Sequence, residues 1–195
     1  MKPVIVWFRD DLRLSDHPAL HAACRSGAPV VCLYVLDENG ADAHGMRARR
    51  LGAAARWWLA QSLRKLQSRL ESIGTTLVLR RGPAATTIAQ VAREAGAGSV
   101  FWNEIAQVPE LAIATGIEAA LASIGVDAEK FPGDLLVEPA KIRNKDGRGL
   151  RVFTPFWRRV LAIGGPPKLL PAPTSLPSVG AVSYTHLTLP TIYSV

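Results

Sequence analysis

The feature that most constrains this chain is a series of short apolar runs that do not alternate with polar residues. Residues 4–8 read VIVWF, 30–36 VVCLYVL, 76–79 TLVL and 100–102 VFW. A strand with one face in water shows a polar residue at every second position. An unbroken run rich in β-branched and aromatic side chains is what a strand needs when both faces of its sheet are covered. A weaker run at 126–131 closes the series, and segments of helical period lie between the runs. In the second of these, Leu51, Ala54, Ala55, Trp58, Leu59, Ser62, Leu66, Leu70 and Ile73 recur at steps of three and four, which predicts one stripe turned toward the core. Strand and helix repeated in this way imply right-handed parallel crossovers. The expected fold is therefore a doubly wound, Rossmann-like α/β domain, a parallel five-stranded sheet with helices on both faces.

Local punctuation agrees with this reading. Ser15 or Asp16, followed by Pro18, is the expected start of the first helix. Gly27, Gly74 and Gly96 fall where helices should end, Gly82-Pro83 opens a helix running toward Glu94, and another should cover 109–124. The core of the domain is then 1–131. Residues 132–163 form a polar connection and a short helix around FTPFWRRV that closes the domain. Residues 164–180, GGPPKLLPAPTSLPSVG, read as a Pro-rich linker. Residues 181–195 are expected to be a non-native tail, because VSYTHLTLPT resembles a translated sequencing adaptor, and they are set aside from the fold.

Composition narrows the class further. Hydrophobic residues make up 48% and charged residues 20%, the balance of a folded core rather than a disordered tail. No stretch approaches the ~20 apolar residues of a membrane helix, and Arg9 arrives too early for a signal peptide, so the expectation is a cytoplasmic protein. Cys24 and Cys32 have no metal-ligand spacing and read as buried apolar side chains. His17 and His21 lie one helical turn apart without a third ligand. The formal charge of +7 favours anionic partners. Much of it sits at Arg47, Arg49, Arg50, Arg56, Arg64, Lys65 and Arg69, ahead of Glu71. That run reads as a solvated helix face rather than a nucleic-acid groove, because no stacking aromatics alternate with the charges.

In open α/β sheets, ligands bind beyond the carboxyl ends of the strands. Here those ends carry Arg9-Asp10-Asp11, Asp37-Glu38-Asn39, Arg80-Arg81-Gly82 and Asn103-Glu104, a polar rim on an apolar sheet. The dinucleotide fingerprint, the P-loop, the nucleophile elbow and the H-E-x-x-H zinc motif are all absent from the sequence. The residues therefore describe a binding domain with no visible catalytic set.

VWFRDDLRLSDHPAL at 6–20 resembles the opening of photolyases and cryptochromes, with Arg9, Asp11, Leu12, Arg13 and Asp16 on the shared positions. RWWLAQSL at 56–63 is similar to that family's R-W-x-F-L-x-x-S-L helix, LVLRRG at 77–82 to the strand that follows, and VFTPFWRR at 152–159 to its V-F-T-P-F-W motif. Order and spacing agree across residues 1–173. The resemblance implies the N-terminal domain of a deoxyribodipyrimidine photolyase, a light-dependent lyase in which reduced FAD splits a pyrimidine dimer flipped out of damaged DNA. The flavin and the DNA site would belong to a helical C-terminal domain beyond this chain, and the full-length protein would be a monomer. The part present here would be inactive alone and would hold an antenna chromophore: a folate, a deazaflavin or FMN. A cryptochrome-type blue-light sensor and a freestanding nucleotide-binding module are the alternatives.

The antenna pocket that the resemblance implies would use Arg9, Asp10, Asp37, Arg56, Asn103 and Glu104. In that reading Asn103 and Glu104 would meet the chromophore ring, while Arg9 and Arg56 would take an acidic tail or phosphate. After Trp102-Asn103 the chain departs from the family pattern R-R-Y-E-P and reads EIAQVPE, where Glu104 comes early and Val108 is apolar. Asp11, Arg13 and Asp16 are expected to tie down the first strand–helix turn. Trp7, Trp57, Trp58, Trp102 and Trp157 are expected in the core or at a domain interface.

Overall fold

A computed structural model of the protein describes residues 1–38, 51–133, 135–138, 141–165 and 167–177, with the side chains of 108 and 109 left aside. Asn39, Arg47, Arg49, Arg50 and the expected non-native tail lie outside the described residues. The elements in order are β1 (Val4–Phe8), α1 (Pro18–Arg25), β2 (Val30–Leu36), α2 (Ala53–Glu71), β3 (Leu77–Arg81), α3 (Ala84–Ala95), β4 (Ser99–Glu104), α4 (Val108–Ala122), β5 (Asp127–Pro132) and α5 (Phe153–Ala162).

The five strands pair in parallel in the order β3-β2-β1-β4-β5. The chain starts in the middle of the sheet, winds outward through β2 and β3, then returns to place β4 on the other side of β1. The strand order reverses between β1 and β4, and the crevice beyond their carboxyl ends is where such sheets bind ligands.

Side-chain alternation explains the unbroken apolar runs. Val4, Val6 and Phe8 join Leu20, Leu63, Leu66 and Leu70 on the α1/α2 side. Ile5 and Trp7 join Ile88, Val91, Ile117 and Leu121 on the α3/α4 side. Each strand residue therefore faces one of two cores, and each fully buried Val, Leu, Ile or Phe contributes about 1.5–3 kcal/mol. β5, at the edge, is mostly exposed, which is why its sequence signal is weak.

Two local expectations are corrected. The side chain that caps α1 belongs to His17, whose Nδ1 accepts from the Leu20 amide at 3.1 Å; Ser15 is exposed and Asp16 takes φ +50°. The buried stripe of α2 is Ala60, Leu63, Leu66 and Leu70. Leu59 and Ile73 pack partly against it, whereas Leu51, Ala54, Ala55 and Trp58 are exposed. At about 100° per residue, Trp58 lies about 140° from Leu63, so the helix could not bury both. The tryptophans divide between the core and the surface. Trp7 and Trp102 are in the core, with ring centroids 6.1 Å apart, but Trp57 and Trp58 stand 54% and 69% exposed on α2.

The Pro-rich run after α5 is not a loose tether over its described part. Leu170 O accepts from the Asp16 amide at 2.8 Å and the Leu170 amide donates to Asp16 Oδ1 at 3.3 Å. Further on, the Leu176 amide donates to Ile73 O at 3.0 Å, Pro177 O accepts from Val30 at 2.7 Å, and Leu176 is buried in the α1/α2 core. Proline lacks an N–H, so a strap rich in it has few donors to satisfy.

Candidate functional site

Beyond the ends of β1, β2 and β4 lies a cavity of about 300 Å³, walled by Trp7, Tyr34, Leu36, Ile105 and Ile113, with Arg9, Asp10, Asp37 and Glu110 on its lining. A larger groove of about 710 Å³ adjoins it between the 9–13 turn and α2, sharing Arg9, Asp10, Tyr34 and Leu51.

Arg9 is the centre of this region. It follows the last residue of β1 and is nearly fully buried. Its Nη2 donates to Glu110 Oε2, and its guanidinium carbon sits 4.6 Å from the Trp7 ring centroid. Burial pushes the Arg9 pKa below its ordinary value, against the raising pull of Glu110, Asp10 and Asp11. Its Nη1 is buried and has no hydrogen-bond partner. An orphaned, buried guanidinium N–H is costly, so it marks a place where an acceptor is wanted. Tyr34, half-buried on β2, is held well above its ordinary pKa by burial and by Asp10, and therefore presents a neutral phenol.

The other sequence candidates divide. Asp37 accepts from the Ala84 amide at 2.9 Å, holding the start of α3 against the end of β2, and it lines the cavity with Arg9 and Asp10. Arg56 lines neither of these spaces: its Nη2 lies 3.1 Å from Glu38 and its Nε donates to Leu51 O at 3.1 Å.

Asn103 lines neither the cavity nor the groove. Its Oδ1 accepts from the Ala19 amide at 3.0 Å and its Nδ2 donates to Asp11 Oδ2, so it pins the start of α1 to the ends of β1 and β4. His17 Nε2 completes this knot 3.3 Å from Asp11 Oδ2, off the line of a good hydrogen bond. Burial disfavours the Asp11 charge, but His17, Asn103 and the Arg9 amide outweigh it and hold the carboxyl below its ordinary range. Glu104 faces a separate cavity of about 310 Å³ near β5, where Lys130 lies 3.5 Å from it and 2.8 Å from Glu118.

Glu110 was missed by the sequence reading. The motif comparison sought a carboxylate within a few residues of Trp102, whereas Glu110 sits in the first turn of α4. The available signal was a Pro-Glu pair at a helix start beyond a strand end, where the helix dipole favours an acid. Among the described residues, no group of three or more His, Cys, Asp or Glu side chains could hold a metal ion.

The fold and this rim define a parallel α/β domain with a cavity at the strand-order switch point. The DNA photolyase family model matches residues 4–176, and the chain belongs to that family. It is 40% identical over 195 residues to a deoxyribodipyrimidine photo-lyase of Agrobacterium fabrum, covering 97% of this chain and 39% of that protein. It is 36% identical over 171 residues to cryptochrome-1 of Arabidopsis thaliana, covering 86% of this chain and 24% of that one. A solved bacterial class III photolyase from Agrobacterium tumefaciens superposes with a TM-score of 0.85 at 36% identity, covering 97% of this chain and 38% of that chain. The chain thus spans less than two-fifths of the length of these relatives.

Proposed function

We propose that this chain is the N-terminal antenna domain of a deoxyribodipyrimidine photolyase, a light-dependent DNA repair enzyme. Its strand-end cavity receives the antenna chromophore. The observation that carries the reading is Arg9: a buried cation between an aromatic ring and a carboxylate on the cavity lining, with one buried N–H left without an acceptor. The cavity volume suits a flat heteroaromatic ring at the small end of ligand pockets. The Arg9 guanidinium would donate to a ring carbonyl, Trp7 and Tyr34 would wall the ring, and Asp10, Asp37 and Glu110 would face its N–H groups. Arg56, held at the rim by Glu38, would meet an acidic tail. A chromophore here would harvest light for FAD held by a helical domain outside this chain, which would supply the electron that splits the dimer in damaged DNA.

The cryptochrome reading shares the same cavity and is supported by the similarity to a plant cryptochrome. The test is titration of the purified chain with a reduced folate, a deazaflavin and FMN, followed by chromophore fluorescence. One of the three should bind, FAD should not bind stoichiometrically, and Arg9→Ala should weaken binding about ten-fold or more, the worth of one charge-assisted hydrogen bond. Failure of all three chromophores, or binding indifferent to Arg9, would sink the assignment.

A further inference from the structure

Among the described residues the outer face of α2 is left exposed, and it carries two tryptophans. The helix buries Ala60, Leu63, Leu66 and Leu70, and that stripe alone seats it on the sheet. Trp57 and Trp58 lie off it at 54% and 69% exposure, each a poorer helix former than alanine. Adjacent exposed tryptophans form an apolar patch that a folded domain does not keep without a use.

The same face is cationic. Arg64, Lys65 and Arg69 are exposed along it, and α2 contains no acid before Glu71. Trp57 and Arg64 are seven residues apart, as are Trp58 and Lys65. Each ring therefore shares a line along the helix with a cation about 10 Å further on. Trp58 and Lys65 also form one lip of the larger groove, which has Arg13 on its lining. Flat rings followed along the same helix face by positive charges meet the two requirements of a strand with unpaired bases: stacking surfaces for the bases and cations for the phosphates. The sequence reading of this run as a merely solvated face rested on the absence of such aromatics, and the structure exposes two.

We infer that the outer face of α2, through Trp57, Trp58, Arg64, Lys65 and Arg69, docks single-stranded nucleic acid. A duplex hides its base faces and leaves the tryptophans nothing to stack on. A bilayer needs a continuous apolar face, and the apolar face of α2 is spent on the core. The inference does not depend on the chromophore reading, because none of these side chains is in the strand-end cavity.

The test is fluorescence anisotropy of the full chain with a labelled oligothymidylate of about 20 nucleotides, longer than the ~4–16-nucleotide sites of single nucleic-acid-binding domains. The matched duplex and vesicles containing phosphatidylserine serve as competitors. The single strand should bind best and quench tryptophan fluorescence. Trp57→Ala and Trp58→Ala should each weaken it about ten-fold. Lys65→Glu with Arg69→Glu, which leaves the rings in place, should reduce the magnitude of the salt slope by about 1.4. Circular dichroism of every variant should match the parent, since all four side chains are exposed. No binding at low salt, duplex bound as tightly as single strand, tryptophan variants that bind like the parent, or vesicles that displace the oligonucleotide would each overturn the inference.

Discussion

The rim of the sheet carries two cavities of nearly equal volume, and only one has the makings of a binding site. At the ends of β1 and β2 the pocket holds Arg9 paired with Glu110, side chains 5% and 20% exposed. At the ends of β4 and β5 the pocket holds Lys130 beside Glu104, side chains 42% and 39% exposed. Both have a cation next to a carboxylate. The first pair sits where water is excluded, so each hydrogen bond counts and an unmet donor persists; the second is screened by solvent. The two volumes are nearly equal and each holds one cation among carboxylates, and burial is what distinguishes the pairs.

This contrast is sharpest when each cation is removed. Arg9→Ala should cost about 3 kcal/mol, because it leaves Glu110 partly buried without its partner. Chemical denaturation checks this, and a loss below about 1 kcal/mol would mean that water already reaches the pair. Asn103→Ala, in the knot that ties α1 to the ends of β1 and β4, should cost about 2 kcal/mol, since it removes the acceptor for the Ala19 amide and the donor to Asp11. The same denaturation series measures it.

Acid should separate the regions next. The Asp11 carboxyl is depressed below its ordinary 3.8, so its stabilising contribution is present above that value and is lost as pH falls through the lower folded value. Asp11→Asn should flatten the acid limb of the stability–pH curve, read from urea midpoints between about pH 5 and 2. An unchanged limb would show that other carboxylates carry it. The smallest effect belongs to Lys130→Ala, at about 0.5 kcal/mol or less; a larger one would erase the difference between the two rims.

What the sequence revealed followed the same divide. β1 to β4 were legible because burial on both faces writes an unbroken apolar run, whereas β5, exposed at the sheet edge, leaves only a faint one. Arg9, Asp10 and Asp37 were found because strand ends converge by topology alone. Asn103 was picked out as a polar residue at the rim, but its bonds to the Ala19 amide and Asp11 were not legible. Its side chain turns toward an amide 84 positions away, and local pattern carries no trace of such a bond. The ion pairs of Arg56 and Glu104 are set by tertiary packing and leave no local trace, and Glu110 was hidden by a shift in motif spacing. The α2 stripe was misjudged because tryptophan was taken as inward-facing by its hydrophobicity, when helical rotation had already assigned the core to Leu63 and its partners.

The strap that returns from α5 to Asp16, Ile73 and Val30 sets the timetable on which this domain can be completed during synthesis. Its contact with Asp16 spans 154 positions, and Leu176 plugs a core whose other members are all made earlier. While the chain is still on the ribosome, the α1/α2 side of the sheet stays unsealed until residue 177 has cleared the exit tunnel. At about 5–20 residues per second, the hundred or so codons translated after β3 leave that side open for roughly 5–20 s. During that interval a chaperone, or another nascent chain, can reach an apolar surface that the finished domain never shows.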